Sequence, residues 1–284
     1  MCYIISMKVR AVQFSPALGN VAGNLEFHLK KIEEAVSDKR DLVIFPELSI
    51  SGYHLKDIVY DVALTPGDEI IVQFKALSRK IDIVIGAPYE ETPGIVSNCG
   101  LYFSKGELLH IHRKSQLPNF GMFEEGMIFK AGEQFRTFKA GDFTAGIIIC
   151  REMLFPVIAY LYYLQGVDFL IGISNSPFRA LSKADGFGSL KLWERVGEVY
   201  AINYHQNYVF VNRTGFEDGI GFGGGSFYAA PGKGIVKRAA FFDDETLDFE
   251  VSKDAVRASR MGGNYARDEK PGVILNELKR ILNA

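Results

Sequence analysis

The sequence predicts an α/β domain, and three observations predict it. Short apolar runs rich in β-branched residues alternate along the chain with stretches whose apolar residues recur at helical spacing. Some of those runs, residues 41–46 above all, are apolar at successive positions, as expected of a strand covered by helices on both faces. With 284 residues and 48% hydrophobic content the chain can bury a large core, and no Ser/Pro-rich or charged linker divides it, so residues 1–284 are read as a single domain.

The elements follow in order. Residues 8–14 alternate well enough for a strand, and Asn24 then precedes Leu25, Leu29, Ile32 and Val36, which share one face of an amphipathic helix. Residues 41–46 form the second strand. Pro66-Gly67 turns into a helix over residues 69–80, followed by a strand at 81–87. Residues 98–103 and 107–112, joined by Lys105-Gly106, read as a hairpin, as do 135–138 and 143–150 around Ala140-Gly141-Asp142. Between them residues 118–132 form a loop carrying Phe120, Phe123 and Phe129 among Glu124 and Glu125, and loops of such length tend to be functional. An aromatic-rich helix at 156–165, a strand at 167–173 and a polar stop at Ser174-Asn175-Ser176-Pro177 come next. A helix over 188–205 contains the single tryptophan, Trp193, and strands at 208–211 and 226–230 lead to the turn Pro231-Gly232-Lys233-Gly234 and a closing helix at 273–282.

Composition narrows the function. A net charge of −2 and a pI near 6.2 leave no electrostatic footprint for nucleic acid or an anionic membrane. Cys2, Cys99 and Cys150 are too few and too scattered for a disulfide scaffold and suit a reducing compartment. Met1-Cys2-Tyr3-Ile4-Ile5-Ser6 lacks a basic start, and no run reaches the about 18 apolar residues of a membrane span. The expectation is a cytoplasmic protein, with either Met1 or Met7 as its start. His110 and His112, two apart with no third ligand nearby, read as a solvated strand face, so no metal is expected. Gly221-Phe222-Gly223-Gly224-Gly225 lacks the Gly-Lys-Ser/Thr ending of a phosphate loop and opens onto a strand, so no nucleotide cofactor is expected either.

The chemistry gathers at three strand ends. Gly146-Ile147-Ile148-Ile149 delivers Cys150 as its apolar pattern breaks, residues 41–46 are followed by Glu47, and residues 108–113 by Lys114. A cysteine in that position is more often a small core residue than a reactive thiol. Its company argues otherwise. A thiol nucleophile needs a base, and an amide carbonyl under attack needs a fixed positive charge for its oxyanion. Glu47, in an apolar setting beside Pro46 and Leu48, is expected to have its pKa raised toward the range of a general base.

Phe45-Pro46-Glu47 with Ser51-Gly52-Tyr53, Lys114-Ser115-Gln116-Leu117-Pro118, Cys150 with Phe155-Pro156, Val211-Asn212 and Phe222-Gly223-Gly224-Gly225-Ser226 occur in this order between about Val9 and Phe242. Together they resemble the nitrilase superfamily of carbon–nitrogen hydrolases. Gly52-Tyr53-His54-Leu55-Lys56-Asp57 and the run from Lys114 to Glu125 are most similar to the glutaminase domain of glutamine-dependent NAD synthetases. The resemblance implies a four-layer α-β-β-α sandwich of the nitrilase type, usually paired into a homodimer or higher homo-oligomer through the region from Cys150 to Gln165. It implies catalytic Glu47, Lys114 and Cys150, with Glu125, set by its spacing to Phe129 and Gly132, orienting Lys114. Tyr53, Phe120, Arg151, Asn175 and Ser176 become the substrate-binding candidates.

Two departures bear on the substrate. Glu152 stands where the family usually has Asp, and Arg151 stands where the synthetase glutaminases usually carry a Glu that binds the ammonium of glutamine. An arginine there opposes an ammonium and suits a carboxylate. Phe120 likewise replaces a Tyr. These departures favour a free-standing amidase acting on a small linear amide or carbamoyl amide, with no cofactor. The alternatives are a glutaminase subunit supplying ammonia to a partner synthetase, because the chain lacks the Ser-Gly-Gly-x-Asp-Ser pyrophosphate loop, and a catalytically silent sandwich used as a scaffold.

Overall fold

The protein is described from a computed structural model covering residues 5–178, 181–182, 186–263 and 265–283; Met1 and Cys2 lie outside the described residues. The short strand Leu42–Ile44 shows how the layers arise, because successive side chains of a strand face opposite ways. Leu42 and Ile44 join a cluster with Ile147, Ile149, Ile171 and Phe210, while Val43 joins one with Ile32, Ala35, Ile71 and Phe74. The first cluster is the seam between two sheets, and the second lies beneath the helices Val21–Ser37 and Glu69–Leu77.

Each large sheet has six strands. The first runs Glu245–Ser252, Ser6–Gln13, Leu42–Ile44, Asp82–Thr92, Ile95–Ser104, Glu107–Arg113, with parallel pairing on both sides of Leu42–Ile44 and antiparallel pairing elsewhere. The second runs Gly234–Arg238, Phe227–Ala230, Asn207–Asn212, Phe169–Ser174, Phe143–Ile149, Phe138–Ala140, parallel on both sides of Phe169–Ser174. Helices Pro156–Leu164 and Gly188–Asn203 cover the second sheet through Ile158, Ala159, Tyr162, Trp193 and Tyr200. The result is the α-β-β-α order of layers. Among the described residues no helix is long and apolar enough to cross a membrane.

Some elements differ from expectation. The first helix begins at Val21, where the Asn20 side chain accepts the Gly23 N–H at 3.1 Å. Asn24 is inside that helix and buried, and its amide donates to the Ala17 and Ile50 carbonyls at 2.8 and 2.9 Å, tying the helix to the loop after Glu47. His112 is not on a solvated face: it is buried against Glu152 Oε2 at 2.7 Å, because the strand Glu107–Arg113 turns that position toward the strand end that carries Cys150. The loop 118–132 contains one helical turn, Glu125–Ile128. The strand Glu245–Ser252 and the helix Lys253–Gly263 were not foreseen.

Candidate active site

Four segments converge from two sheets. Glu47 follows Leu42–Ile44 by three residues and Lys114 directly follows Glu107–Arg113, both in the first sheet. Cys150 directly follows Phe143–Ile149 and Asn175 directly follows Phe169–Ser174, both in the second. Two glycines permit the close approaches this needs. A Cβ on Gly86 would stand 2.4 Å from the Leu48 nitrogen and from the Pro46 oxygen, and one on Gly132 would stand 2.1 Å from the Arg113 oxygen.

The side chains meet around one ammonium. Lys114 Nζ donates to Glu47 Oε1 at 2.7 Å and to Glu125 Oε1 at 2.8 Å, with Lys114 and Glu47 fully buried. Glu47 is fixed further by Asn98 Nδ2 donating to Oε1 at 2.8 Å and the Asn175 backbone N–H donating to Oε2 at 2.7 Å. The Tyr53 hydroxyl donates to Glu125 Oε1 at 2.5 Å. Burial works against the Lys114 charge, but Glu125 and Glu47 more than offset it and hold its pKa above the ordinary lysine value. Burial raises the Glu125 carboxyl, with Lys114 opposing the rise. An ammonium has three donors, and the two carboxylates take two of them. The third has no acceptor among the described residues.

Cys150 occupies the turn from strand to the short 3₁₀ helix Cys150–Leu154, with φ of 44°. That left-handed conformation is uncommon outside glycine and is the kind of strain found at functional sites. Burial pushes its thiol up to about 12, Glu47 adds to the rise, and Lys114 and the Ser174 hydroxyl act against it. Cys150 belongs to the apolar cluster at the seam between the sheets, yet Glu47, Lys114 and Glu125 all act electrostatically on its thiol. Cys99 is a free thiol too, but it is buried within an apolar cluster of the first sheet. Near the ion cluster, Glu125 Oε2, Asn98 Oδ1 and both polar atoms of the Asn175 side chain have no hydrogen-bond partner among the described residues. Buried polar atoms left open in this way are the groups a bound polar ligand can satisfy.

The remaining candidates divide. Tyr53 is spent on Glu125, and Ser176 accepts a hydrogen bond from Trp193 Nε1 at 2.6 Å while its N–H donates to Asn212 Oδ1 at 2.8 Å. Asn175 keeps its side chain open. Arg151 and Phe120 stand together at the rim, the guanidinium carbon 4.7 Å from the ring centroid. A separate cavity of about 230 Å³ is lined by Tyr53, His54, Glu124 and Glu125 among others and includes neither Arg151 nor Phe120. A larger concavity of about 580 Å³ sits over the edge strand Glu107–Arg113 and includes neither Glu47, Lys114 nor Cys150. Among the described residues no group of three His, Cys, Asp or Glu is placed to hold a metal ion.

Two anchoring residues escaped the sequence reading. Glu152 accepts the Ile149 N–H at 2.7 Å, the Ser115 N–H at 2.7 Å and the Ser115 hydroxyl at 2.8 Å besides His112, so it clamps the strand end of Cys150 to the segment after Lys114. Burial alone would raise its carboxyl, yet His112 and these hydrogen bonds hold it below the usual range. Its position two after the cysteine is visible in the sequence, but its partners leave no local signal. Glu217, on the hairpin Thr214–Glu217 and Ile220–Gly223, accepts the Tyr53 and His54 backbone N–H groups at 2.9 and 2.7 Å and pairs with Arg213 at 2.5 Å. Burial opposes its charge, but His54 and Arg213 bring its pKa down to about 2.

Comparison with known proteins places the chain in a family and a fold. The family model for carbon–nitrogen hydrolases matches residues 8–261. The glutamine-dependent NAD(+) synthetase of Thermotoga maritima is 26% identical over 251 residues, covering 87% of this chain but 42% of that protein, so the chain spans about half the length of such relatives. The N-carbamoylputrescine amidase of Oryza sativa subsp. japonica is 27% identical over 283 residues, covering 93% of this chain and 92% of that one. The crystal structure of a carbon–nitrogen hydrolase from Helicobacter pylori G27 superposes with a TM-score of 0.87 at 21% identity, covering 96% and 98% of the two chains, a likeness of fold.

Proposed function

The chain belongs to the carbon–nitrogen hydrolase family, and from that premise we propose that it is an amidase, cleaving the C–N bond of a small linear amide or carbamoyl amide through a thioester on Cys150. The observation that carries this reading is the buried Lys114 ammonium shared by Glu47 and Glu125, with the Cys150 thiol under the influence of all three. In the first half-reaction the Cys150 sulfur bonds to the carbonyl carbon while its proton passes to Glu47. The third Lys114 N–H and the backbone N–H of Arg151 receive the oxyanion. The C–N bond then breaks, and Glu47 returns the proton to the departing amine. Water attacks the thioester with Glu47 again taking a proton, and the released sulfur regains one. Glu125, itself held by Tyr53, keeps Lys114 in place, and Asn175 offers its open amide to the substrate.

A second reading, a glutaminase that supplies ammonia to a partner synthetase, is favoured by the NAD synthetase relatives, of which this chain spans about half. Arg151 in place of an acidic residue speaks for the free-standing amidase. We further propose that the site is complete within one domain, that the reducing cytoplasm suits its free thiols, and that the chain forms homodimers. The exposed Leu154, Val157, Leu161 and Leu164 on and beside helix Pro156–Leu164 support pairing there, whereas Tyr162 is core, its hydroxyl bonded to the Ile147 carbonyl.

Intact-mass measurement of a trapped acyl-enzyme across a panel of small amides tests the reading. An acyl adduct is expected on the wild type and not on Cys150→Ala. An adduct on both, or amide turnover by the Ala variant, would overturn it. Glutamine turnover that appears only on adding a synthetase would favour the second reading.

A further inference from the structure

Arg151 is the residue next to the nucleophile, half-buried, and its guanidinium carbon lies 4.7 Å from the Phe120 centroid and 5.8 Å from that of Phe155. No hydrogen bond or ion pair engages its side chain among the described residues. Among the acids near the site, Glu152 is committed to His112 and Ser115 and Glu47 and Glu125 to Lys114, while Glu124 is exposed on the loop that carries Phe120 and makes no bond to Arg151. Stacking on rings uses the faces of a guanidinium and leaves its in-plane N–H groups free, in the fork geometry that grips a carboxylate at two points. Phe120 is 49% exposed, so the pair stands at the surface, with Arg151 next in sequence to Cys150, rather than in the core.

We infer that Arg151, seated on Phe120 and Phe155, is a carboxylate subsite, and that the substrates are small amides whose acyl chain carries a carboxylate a few atoms from the scissile carbonyl. This rests on the amidase reading and names the substrate class of the same site. Two points make the assignment specific. Glu47 sits at the closed end, surrounded by Lys114, Asn98 and Asn175, so the rim cation does not serve the triad. A substrate bearing an amine at that distance would meet the guanidinium as a like charge, and a neutral chain would leave it without a counter-ion.

The test compares kcat/KM for glutaramate, valeramide and δ-aminovaleramide, which share a linear acyl chain and differ in what ends it. Wild type is expected to favour glutaramate over valeramide on the order of ten- to a hundredfold, the range of one charge-assisted interaction, and to turn over the amine most slowly. In Arg151→Gln the preference should collapse toward one, mostly through KM, and Arg151→Lys should restore part of it. Phe120→Leu, at an exposed position that threatens folding least, should weaken the preference as well. Equal rates for glutaramate and valeramide in the wild type, or a preference that survives Arg151→Gln, would overturn the subsite while leaving the amidase reading intact. Should no amide be hydrolysed at all, calorimetric titration with glutarate separates the two ideas: binding lost in Arg151→Gln supports the subsite although the amidase reading fails, and binding that is absent or indifferent to the substitution removes it.

Discussion

Glu47→Gln should move two readouts of one thiol in opposite directions. Burial, and next to it the Glu47 charge, push the Cys150 thiol up to about 12, so at pH 7 a thiolate is scarcer here than on an unperturbed cysteine. Attack is then expected to be coupled to proton transfer from the thiol to Glu47. The glutamine keeps one oxygen to accept a hydrogen bond, but it removes the base, and amide hydrolysis should fall by about 10²–10⁴-fold. The same substitution removes the charge that ranks next to burial in raising the thiol. Each unit by which the pKa drops raises the thiolate fraction tenfold below that pKa. Iodoacetamide labelling of Cys150, followed by mass spectrometry between pH 7 and 10, should consequently be faster in the variant. The wild-type labelling rate should climb steadily through that window without a plateau. Labelling that falls in parallel with hydrolysis in a variant with an unchanged melting temperature, or a wild-type plateau near neutrality, would refute the coupled-transfer argument and point to a preformed thiolate.

Other perturbations report on the scaffold around the thiol. Glu152→Ala leaves the buried N–H of Ile149 and the groups of His112 and Ser115 without their acceptor, and denaturant unfolding should show a loss of about 3–5 kcal/mol. Because the folded-state pKa of Glu152 is depressed, its contribution is fully present above the unfolded carboxylate range and is lost as pH falls through the folded value. The stability gap between wild type and variant should therefore narrow below about pH 4. Gly86→Ala places a methyl 2.4 Å from the Leu48 nitrogen, so circular dichroism should remain near wild type while the displaced Glu47 costs at least about tenfold in kcat, with overpacking of about 1–3 kcal/mol in unfolding free energy. Leu161→Asp, at an exposed position of helix Pro156–Leu164, should shift a dimer to monomer in light scattering.

How much of this was readable in the sequence depends on the range of the interaction. Residues 41–46 and 143–150 declared themselves as strands because their pattern is local, and the residues that close them are the ones that converge. Asn24 is a good helix cap by type; only the Ala17 and Ile50 carbonyls, both outside the helix, reveal that it is a tether. His112 read as solvated because periodicity shows which side of a strand a residue takes and not what covers that side. Glu217 had no local signal at all, since its function is to hold Tyr53 across 164 positions of chain. Long-range partners of single charges lie outside what spacing can encode.

The deeper reason the site could be listed but not assembled is that it belongs to neither sheet. Glu47 and Lys114 leave the first sheet, Cys150 and Asn175 leave the second, and the Glu47 carboxylate receives a hydrogen bond from each, Lys114 on one side and the Asn175 backbone on the other. The separation of base and nucleophile is thus set by how closely the sheets pack, and that packing is tight: a Cβ on Gly100 of the first sheet would come within 2.8 Å of Ile147 Cγ2 in the second. Close-packed interiors do not deform gradually. It follows that the seam residues Gly100, Ile147 and Ile173 help to set the reach between thiol and carboxylate, and that the buried charge cluster is tolerated because Glu47 has donors on both oxygens and Glu125 on one, leaving Glu125 Oε2 as the open acceptor.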